Sequence, residues 1–278
     1  MTAQPEPLSY SLDESSATAA ESHAVTSRLA AAEHLFVVTD FDGTLAGFAS
    51  DIYAVKPNQR SLQALETLAR LPQTTVAALS GRHLEGLRRV FPLGDPVILG
   101  GSHGAETLGK DSGLDETKIA ELRRVGAELE ALAREYPHTQ FEDKPFQCVF
   151  NVLGLAEQDP EAALRALDRA RAIDPGVLTA QEGKNIIEFS ATTATKGTWI
   201  RKERARLERV TGGGRITTVF VGDDTTDEQG FEVLNQPPDA GVKVGAGHTA
   251  ATVRVADIEG VADFFSALAE ARRSQTLS

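Results

Sequence analysis

Two carboxylates leave an apolar run one residue apart in Val37-Val38-Thr39-Asp40-Phe41-Asp42-Gly43-Thr44-Leu45, and a glycine follows them at once. If the run is a strand that persists through Asp42, side chains alternate and Asp40 and Asp42 project to one face. Two acids in one crevice resist joint ionisation unless a cation lies between them, and hard oxygen donors of this kind suit Mg²⁺. With that charge neutralised, Asp40 is placed to attack phosphorus and form an aspartyl-phosphate. Asp42 then protonates the leaving oxygen and later takes a proton from the attacking water. Gly43 lets the chain turn sharply after the strand.

A second acidic cluster ends another apolar run: Thr218 to Val221 leads into Gly222-Asp223-Asp224-Thr225-Thr226-Asp227-Glu228. An acidic first helical turn, favoured by the helix dipole, accounts for Asp227 and Glu228 but not for Asp223 at the strand end. A metal reading places Asp223 beside Asp40 and the main-chain carbonyl of Asp42, with waters and a phosphate oxygen completing an octahedron. Leu79-Ser80-Gly81-Arg82 brings a hydroxyl and a flexible backbone to a further strand terminus. There a phosphate oxygen meets the Ser80 hydroxyl and backbone N–H groups such as that of Gly81, with Arg82 as charge partner. An N-cap by Ser80 is an equal reading of the same residues. Lys196 opens a helix and offers a point charge for a transferring phosphoryl group, although a lysine in a first helical turn is ordinarily solvated.

These residues need a scaffold that delivers strand ends to one crevice. From Leu35 onward short apolar runs alternate with helix-periodic stretches, the pattern of a doubly wound, Rossmann-like parallel sheet in an α/β protein. The expected strands are Leu35–Asp40, Thr75–Ser80, Val97–Leu99, Thr217–Gly222 and Gly241–Val244, and the helices between them are Ser61–Leu71, His83–Val90, Lys196–Val210 and Thr226–Leu234. From 108 to 190 the character changes to a long charged helix (Glu116–Glu135), an apolar strand (Phe146–Leu153), a helix (Glu161–Ala172) and two strands flanking Gly183. That order predicts a smaller α/β cap inserted into a core of 26–107 and 191–278. Ligands of such sheets bind outside the carboxyl ends of the strands, so an insertion leaving that edge would act as a lid. Residues 1–25, rich in Ser, Ala, Glu and Pro, read as a mobile tail.

Composition bounds the partners. With 40 acidic against 28 basic residues and a formal charge of −12, nucleic acid and anionic membranes are excluded as main partners, and any phosphate site must be locally basic. The single cysteine, Cys148, excludes a disulfide framework and a multi-cysteine zinc site, and reads as a small buried residue on a strand. The first 30 residues lack a basic start and an apolar signal core, and no run approaches the roughly 20 apolar residues that span a bilayer. The expectation is a cytoplasmic monomer acting on a small molecule.

Asp40-Phe-Asp-Gly-Thr-Leu, Ser80-Gly-Arg, Lys196 and Gly222-Asp-Asp-Thr-Thr-Asp-Glu resemble the four ordered motifs of the haloacid-dehalogenase-like (HAD) phosphatases. The last motif, followed by Phe231, is similar to that of the trehalose-6-phosphate phosphatases, and the likeness spans Leu35 to about Val244. Gly101-Ser-His-Gly-Ala-Glu106 is similar to that family's sugar-contacting loop, and Glu142-Asp-Lys144 and Gly183-Lys-Asn-Ile-Ile-Glu188 resemble its two lid signatures. The resemblance implies Asp40 as nucleophile, Asp42 as acid/base and Asp223 as a Mg²⁺ ligand, with Asp227 in support. It implies phosphate binding by Ser80 and Lys196, and His103, Glu106, Glu142, Lys144, Lys184 and Glu188 facing a disaccharide.

One element departs from that pattern. Where the family carries a His-aromatic-Arg triplet on the lid strand, this chain reads Asn151, Val152, Leu153. Losing the arginine removes up to five donors that clamp phosphate or hydroxyls, while Asn151 keeps a hydroxyl partner. Besides trehalose 6-phosphate hydrolysis, three readings stay open: the same chemistry on another sugar phosphate, a receiver-like module phosphorylated on Asp40, and a catalytically silent sugar-phosphate sensor.

Overall fold

A computed structural model describes residues 23–49, 51–110, 114–183 and 185–276 of the chain. Of the expected tail, 1–22 lies outside the described residues, while 23–25 belong to a helix over 23–30 (α1). The chain divides into two compact units. One holds the described residues up to Ser80 with Arg88–Leu99 and everything from Lys196 on; the other holds Gly81–Leu87 and Gly100–Thr195, and contains the expected insertion 108–190.

In chain order the elements are β1 (His34–Thr39), α2 (Gln59–Arg70), β2 (Thr74–Leu79), α3 (Leu84–Val90), β3 (Ile98–Gly101), β4 (Glu106–Thr107), α4 (Glu116–Glu135), β5 (Gln140–Lys144), β6 (Gln147–Asn151), α5 (Leu153–Ala156), α6 (Pro160–Arg171), β7 (Thr179–Gly183), β8 (Ile186–Ser190), α7 (Lys196–Val210), β9 (Ile216–Gly222), α8 (Thr225–Phe231), β10 (Ala240–Val244), β11 (Val253–Val255) and α9 (Ile258–Thr276).

The first unit is an α/β fold on a sheet of seven strands in the order β11-β10-β9-β1-β2-β3-β4, parallel from β11 to β2, with β4 antiparallel to β3. Its central strands are apolar without alternation because both faces are covered: β9 is buried throughout and β1 from Leu35 on. Phe36 and Val38 of β1 pack with Trp199 and Ile200 of α7, and Phe36 meets the Trp199 ring at 6.4 Å between centroids. Asn58 caps α2 by accepting from the N–H groups of Arg60 (2.9 Å) and Ser61 (3.2 Å). The chain passes from β1 outward through β2 to β3, then returns to β9 on the other side of β1. Strand order therefore reverses between β1 and β9, where a doubly wound sheet opens a crevice at its carboxyl edge. Register fixes what stands there: Thr39 lies beside Val221, and the Asp40 N–H donates to the Val221 carbonyl at 2.8 Å.

The second unit carries an antiparallel sheet, β5-β6-β8-β7, with a different logic. Antiparallel partners share a face, so Phe141, Phe150 and Ile187 form one row, and Cys148 and Phe189 belong to the next on the same side. These residues build a core with Leu122, Val125 and Leu129 of α4 and Ala163, Ala166 and Leu167 of α6. Cys148 is buried there as expected, its thiol donating to the Leu122 carbonyl at 3.4 Å, and burial pushes its pKa up to about 11. The opposite face is mainly polar, with Val149 and Ile186 among its charged and amide side chains.

Several local expectations are corrected. The strand expected at Phe146–Leu153 ends at Asn151; Leu153 instead opens α5, half-exposed, with its N–H donating to the Asn151 side chain at 2.8 Å. β5 adds a strand where the sequence showed only a motif, and α9 a 19-residue helix after the last expected strand. Among the described residues no helix is long and apolar enough to cross a membrane.

Candidate active site

Asp40 leaves β1 at the sheet's carboxyl edge with only 4% of its surface exposed. A carboxylate so placed needs a partner. It has one in Lys196, at the start of α7 and 2% exposed, whose ammonium stands 2.8 Å from Asp40 Oδ1 and 2.6 Å from Asp227 Oδ1. Lys196 is thus the reverse of the solvated lysine typical of a first helical turn. Burial pulls its ammonium down, but Asp40 and Asp227 outweigh burial and leave the pKa raised. Burial pushes Asp40 up to about 7, opposed by Lys196 and reinforced by Asp227.

The strand does not persist to Asp42. β1 stops at Thr39, and residues 41–46 form a tight turn in which the Leu45 N–H donates to the Phe41 carbonyl (2.8 Å) and the Gly43 N–H to that of Ala46 (2.8 Å). The alternation that would put Asp40 and Asp42 on one face therefore does not apply, and Asp42 is partly exposed. Gly43 does more than permit the turn. Its φ is +76°, and a Cβ there would lie 2.0 Å from Asp223 Oδ2, so only glycine lets the Asp223 carboxylate close in.

Asp223 follows β9, next to the end of β1. Its carboxylate accepts from the Thr44 hydroxyl at 3.2 Å, and its N–H donates to Asp227 Oδ2 at 2.9 Å. Asp224 caps α8, and Asp227 completes a capping box by accepting from the main chain of both Asp223 and Asp224. Asp227 therefore serves the cap of α8 and also accepts from the Lys196 ammonium at 2.6 Å. Asp40, Asp223 and Asp227 each bring a carboxylate oxygen within 4.8 Å of the others. Burial raises the Asp223 pKa, and Asp227 adds to that rise. The Asp42 side chain is not one of this group. Hard anionic oxygens gathered so closely fit a divalent cation. Lys243, which no sequence motif marks, is 5% exposed and donates from its ammonium to the Asp223 carbonyl.

Ser80 directly follows β2 and is 1% exposed. It does not cap α3: His83 does, its Nδ1 accepting from the Gly86 N–H at 3.0 Å. Gly81 and His103 are close neighbours in the second unit, where a Cβ on Gly81 would meet the His103 ring at 2.7 Å. The Ser102 N–H donates to the Arg82 carbonyl at 2.7 Å, tying these two loops together. Ser102 and His103 both adopt left-handed φ, 49° and 54°. Glu106 anchors the arrangement, its Oε2 accepting from the Leu84 N–H (2.9 Å) and the Ser102 hydroxyl (2.7 Å).

Glu142, Lys144 and Glu188 share the polar face of the antiparallel sheet, since Glu142 and Glu188 both pair with Val149 and Lys144 pairs with Gln147. Lys144 stands 3.0 Å from Glu142. Burial raises the Glu188 pKa, and Lys144 opposes the rise. Register adds Gln147 and Gln181 to this face; the sequence hid them because they sit outside any motif. Lys184 lies outside the described residues.

The family model for trehalose-phosphatase matches residues 38–259. This chain belongs to the trehalose-phosphatase family. Its members are phosphoric monoester hydrolases, so the chain is an enzyme of that class, and the family implies the divalent cation that the three carboxylates fit. The trehalose-6-phosphate phosphatase of Escherichia coli (strain K12) is 32% identical over 232 residues, which cover 80% of this chain and 82% of that protein. The trehalose-phosphate phosphatase of Mycolicibacterium paratuberculosis is 31% identical over 229 residues, 78% of this chain; the chain spans just 56% of that longer relative. The solved trehalose-6-phosphate phosphatase of Aspergillus fumigatus superposes with a TM-score of 0.68 at 23% identity, covering 89% of this chain and 97% of that one, so the fold is shared.

Proposed function

We propose that the chain hydrolyses trehalose 6-phosphate to trehalose and phosphate, in trehalose biosynthesis, through an aspartyl-phosphate on Asp40. The observation that carries this reading is the buried Asp40–Lys196–Asp227 bridge, with Asp223 alongside, at the carboxyl edge of the sheet. An Asp40 oxygen attacks phosphorus as the bond to the sugar oxygen breaks, and Asp42 gives that oxygen its proton. Asp42 next takes a proton from water, which attacks the acyl phosphate, releases phosphate and restores Asp40. Lys196 opposes the rise that burial imposes on the Asp40 pKa, favouring the ionised form, and offers its charge to the transferring group. Asp40, Asp223, Asp227 and the Asp42 main chain are assigned to hold Mg²⁺, which supplies positive charge to the phosphoryl oxygens.

Ser80, Gly81 and Arg82 are assigned to the phosphate. The sugar hydroxyls are assigned to His103 and Glu106 and to the polar face bearing Glu142, Lys144 and Glu188, with Lys184. The same reading makes the protein a cytoplasmic monomer. A second reading, hydrolysis of another sugar phosphate, is favoured by Leu153, which stands half-exposed where the family resemblance leads one to expect a guanidinium.

Phosphate release from trehalose 6-phosphate, beside glucose 6-phosphate, sucrose 6-phosphate and mannosylglycerate phosphate, with Mg²⁺ or with chelator, tests both. Preference for the trehalose ester, loss with chelator and a loss of orders of magnitude in Asp40→Asn are expected. Preference for another ester selects the second reading, and near-wild-type turnover of Asp40→Asn removes Asp40 as nucleophile.

A further inference from the structure

We propose that Lys243 is a positioning residue of the acid cluster: its ammonium fixes the Asp223 main chain and thereby sets the divalent-cation affinity of Asp40, Asp223 and Asp227. The inference rests on the reading of those acids as a cation site. β10 is buried along its whole length, and Lys243 is the one charged residue among Ala240, Gly241, Val242 and Val244. Burying an ammonium in such a strand is costly unless it finds a strong acceptor. Parallel register sets Lys243 beside Gly222, one residue before Asp223, and its Nζ donates to the Asp223 carbonyl.

Asp223 is consequently gripped from three elements. Asp227 of α8 takes its N–H, Thr44 of the turn after β1 donates to its carboxylate, and Lys243 of β10 holds its carbonyl. Gly43 leaves just enough room for the carboxylate itself, so a shift of the Asp223 main chain has little slack to absorb it. Asp227 belongs to the proposed ligand set; Lys243 does not.

An ammonium next to a cation site acts in two opposed ways. By holding Asp223 it strengthens cation binding, and by its own charge it weakens it. The sign of the change on removal therefore says which role dominates.

The experiment is calorimetric titration of the metal-free full chain with MgCl₂, comparing wild type with Lys243→Met and Lys243→Arg, alongside the Mg²⁺ dependence of phosphate release. Lys243→Met should weaken Mg²⁺ about ten- to hundredfold, the usual loss when a partner of a metal ligand is removed. Turnover should recover to within about threefold of wild type at saturating Mg²⁺, because the Asp40–Lys196 pair is left in place. Lys243→Arg, which keeps donor and charge, should restore most of the affinity. Unchanged or tighter Mg²⁺ binding in Lys243→Met overturns the proposal. A wild type that takes up no Mg²⁺ instead removes the cation reading on which it rests. Should Lys243→Met fail to fold, Lys243→Gln carries the same two outcomes.

Discussion

Two ion pairs of nearly equal length do different work in the two units. Lys196 stands 2.8 Å from Asp40, and Lys144 stands 3.0 Å from Glu142. The first pair is closed off from water, with side chains 2% and 6% exposed; the second is open, at 43% and 47%. Burial makes the first pair indispensable to its surroundings, because either charge left alone in a low dielectric is costly. Solvent makes the second nearly free to break. Under the proposed function, the nucleophile is held by fixed charges, while the face assigned to the sugar hydroxyls keeps its groups wet and exchangeable. The two pairs stand in different dielectrics.

The largest effect expected from this contrast comes from removing each lysine in turn. Lys196→Met leaves Asp40 and Asp227 facing each other without a counter-charge, which should cost about 3–5 kcal/mol of stability and lower turnover about a hundredfold or more. Lys144→Met should cost less than about 1 kcal/mol. Chemical denaturation of the two variants, with phosphate release measured on each, checks the pair. Equal costs would mean that the burial difference has no energetic meaning.

Gly43→Ala sharpens the same contrast on the backbone. A φ of +76° and a Cβ 2.0 Å from Asp223 Oδ2 leave no unstrained solution. The expected stability loss is about 1–3 kcal/mol. Turnover should fall further than stability does, because the displaced group is Asp223 itself; a variant with wild-type kinetics and only a lowered Tm would show that the close approach is not needed for catalysis.

The central strands β1 and β9 were legible to within a residue, because short runs such as Leu35–Val38, apolar without a break, leave little else to be. The helices Glu116–Glu135 and Lys196–Val210 sit at their expected bounds. β5 escaped because an edge strand open to solvent, Gln-Phe-Glu-Asp-Lys, has Phe141 as its one apolar residue and so no apolar alternation. α9 carries a helical signal of its own, since Val261, Phe264, Phe265 and Leu268 recur at helical spacing. The acids of the site stood out as strand-end clusters. Lys196 stood out by its place at a helix start and in the family motif, although its pairing with Asp227 across 31 residues leaves no local trace, and Lys243, paired across 20, is marked by no motif. Asp42 misled because alternation was extended past the end of the strand.

The smallest effect is expected on the polar face, and there the pH dependence carries the argument. Burial raises the Glu188 pKa above its ordinary 4.5, with Lys144 opposing. The folded chain therefore holds this proton to a higher pH than the unfolded chain does, so the stability associated with Glu188 is fully present below pH 4.5 and is lost as pH rises through the raised folded value. At pH 7 the ionised Glu188 is a small burden on the fold. Glu188→Gln should accordingly raise Tm slightly at pH 7 and not at pH 4, the opposite of Lys196→Met. The same change should raise KM for the sugar phosphate about tenfold, close to 1.4 kcal/mol of binding, and leave hydrolysis of p-nitrophenyl phosphate, which has no sugar, near wild type. A fall in p-nitrophenyl phosphate turnover to match would place Glu188 in the chemistry and erase the division between the two units.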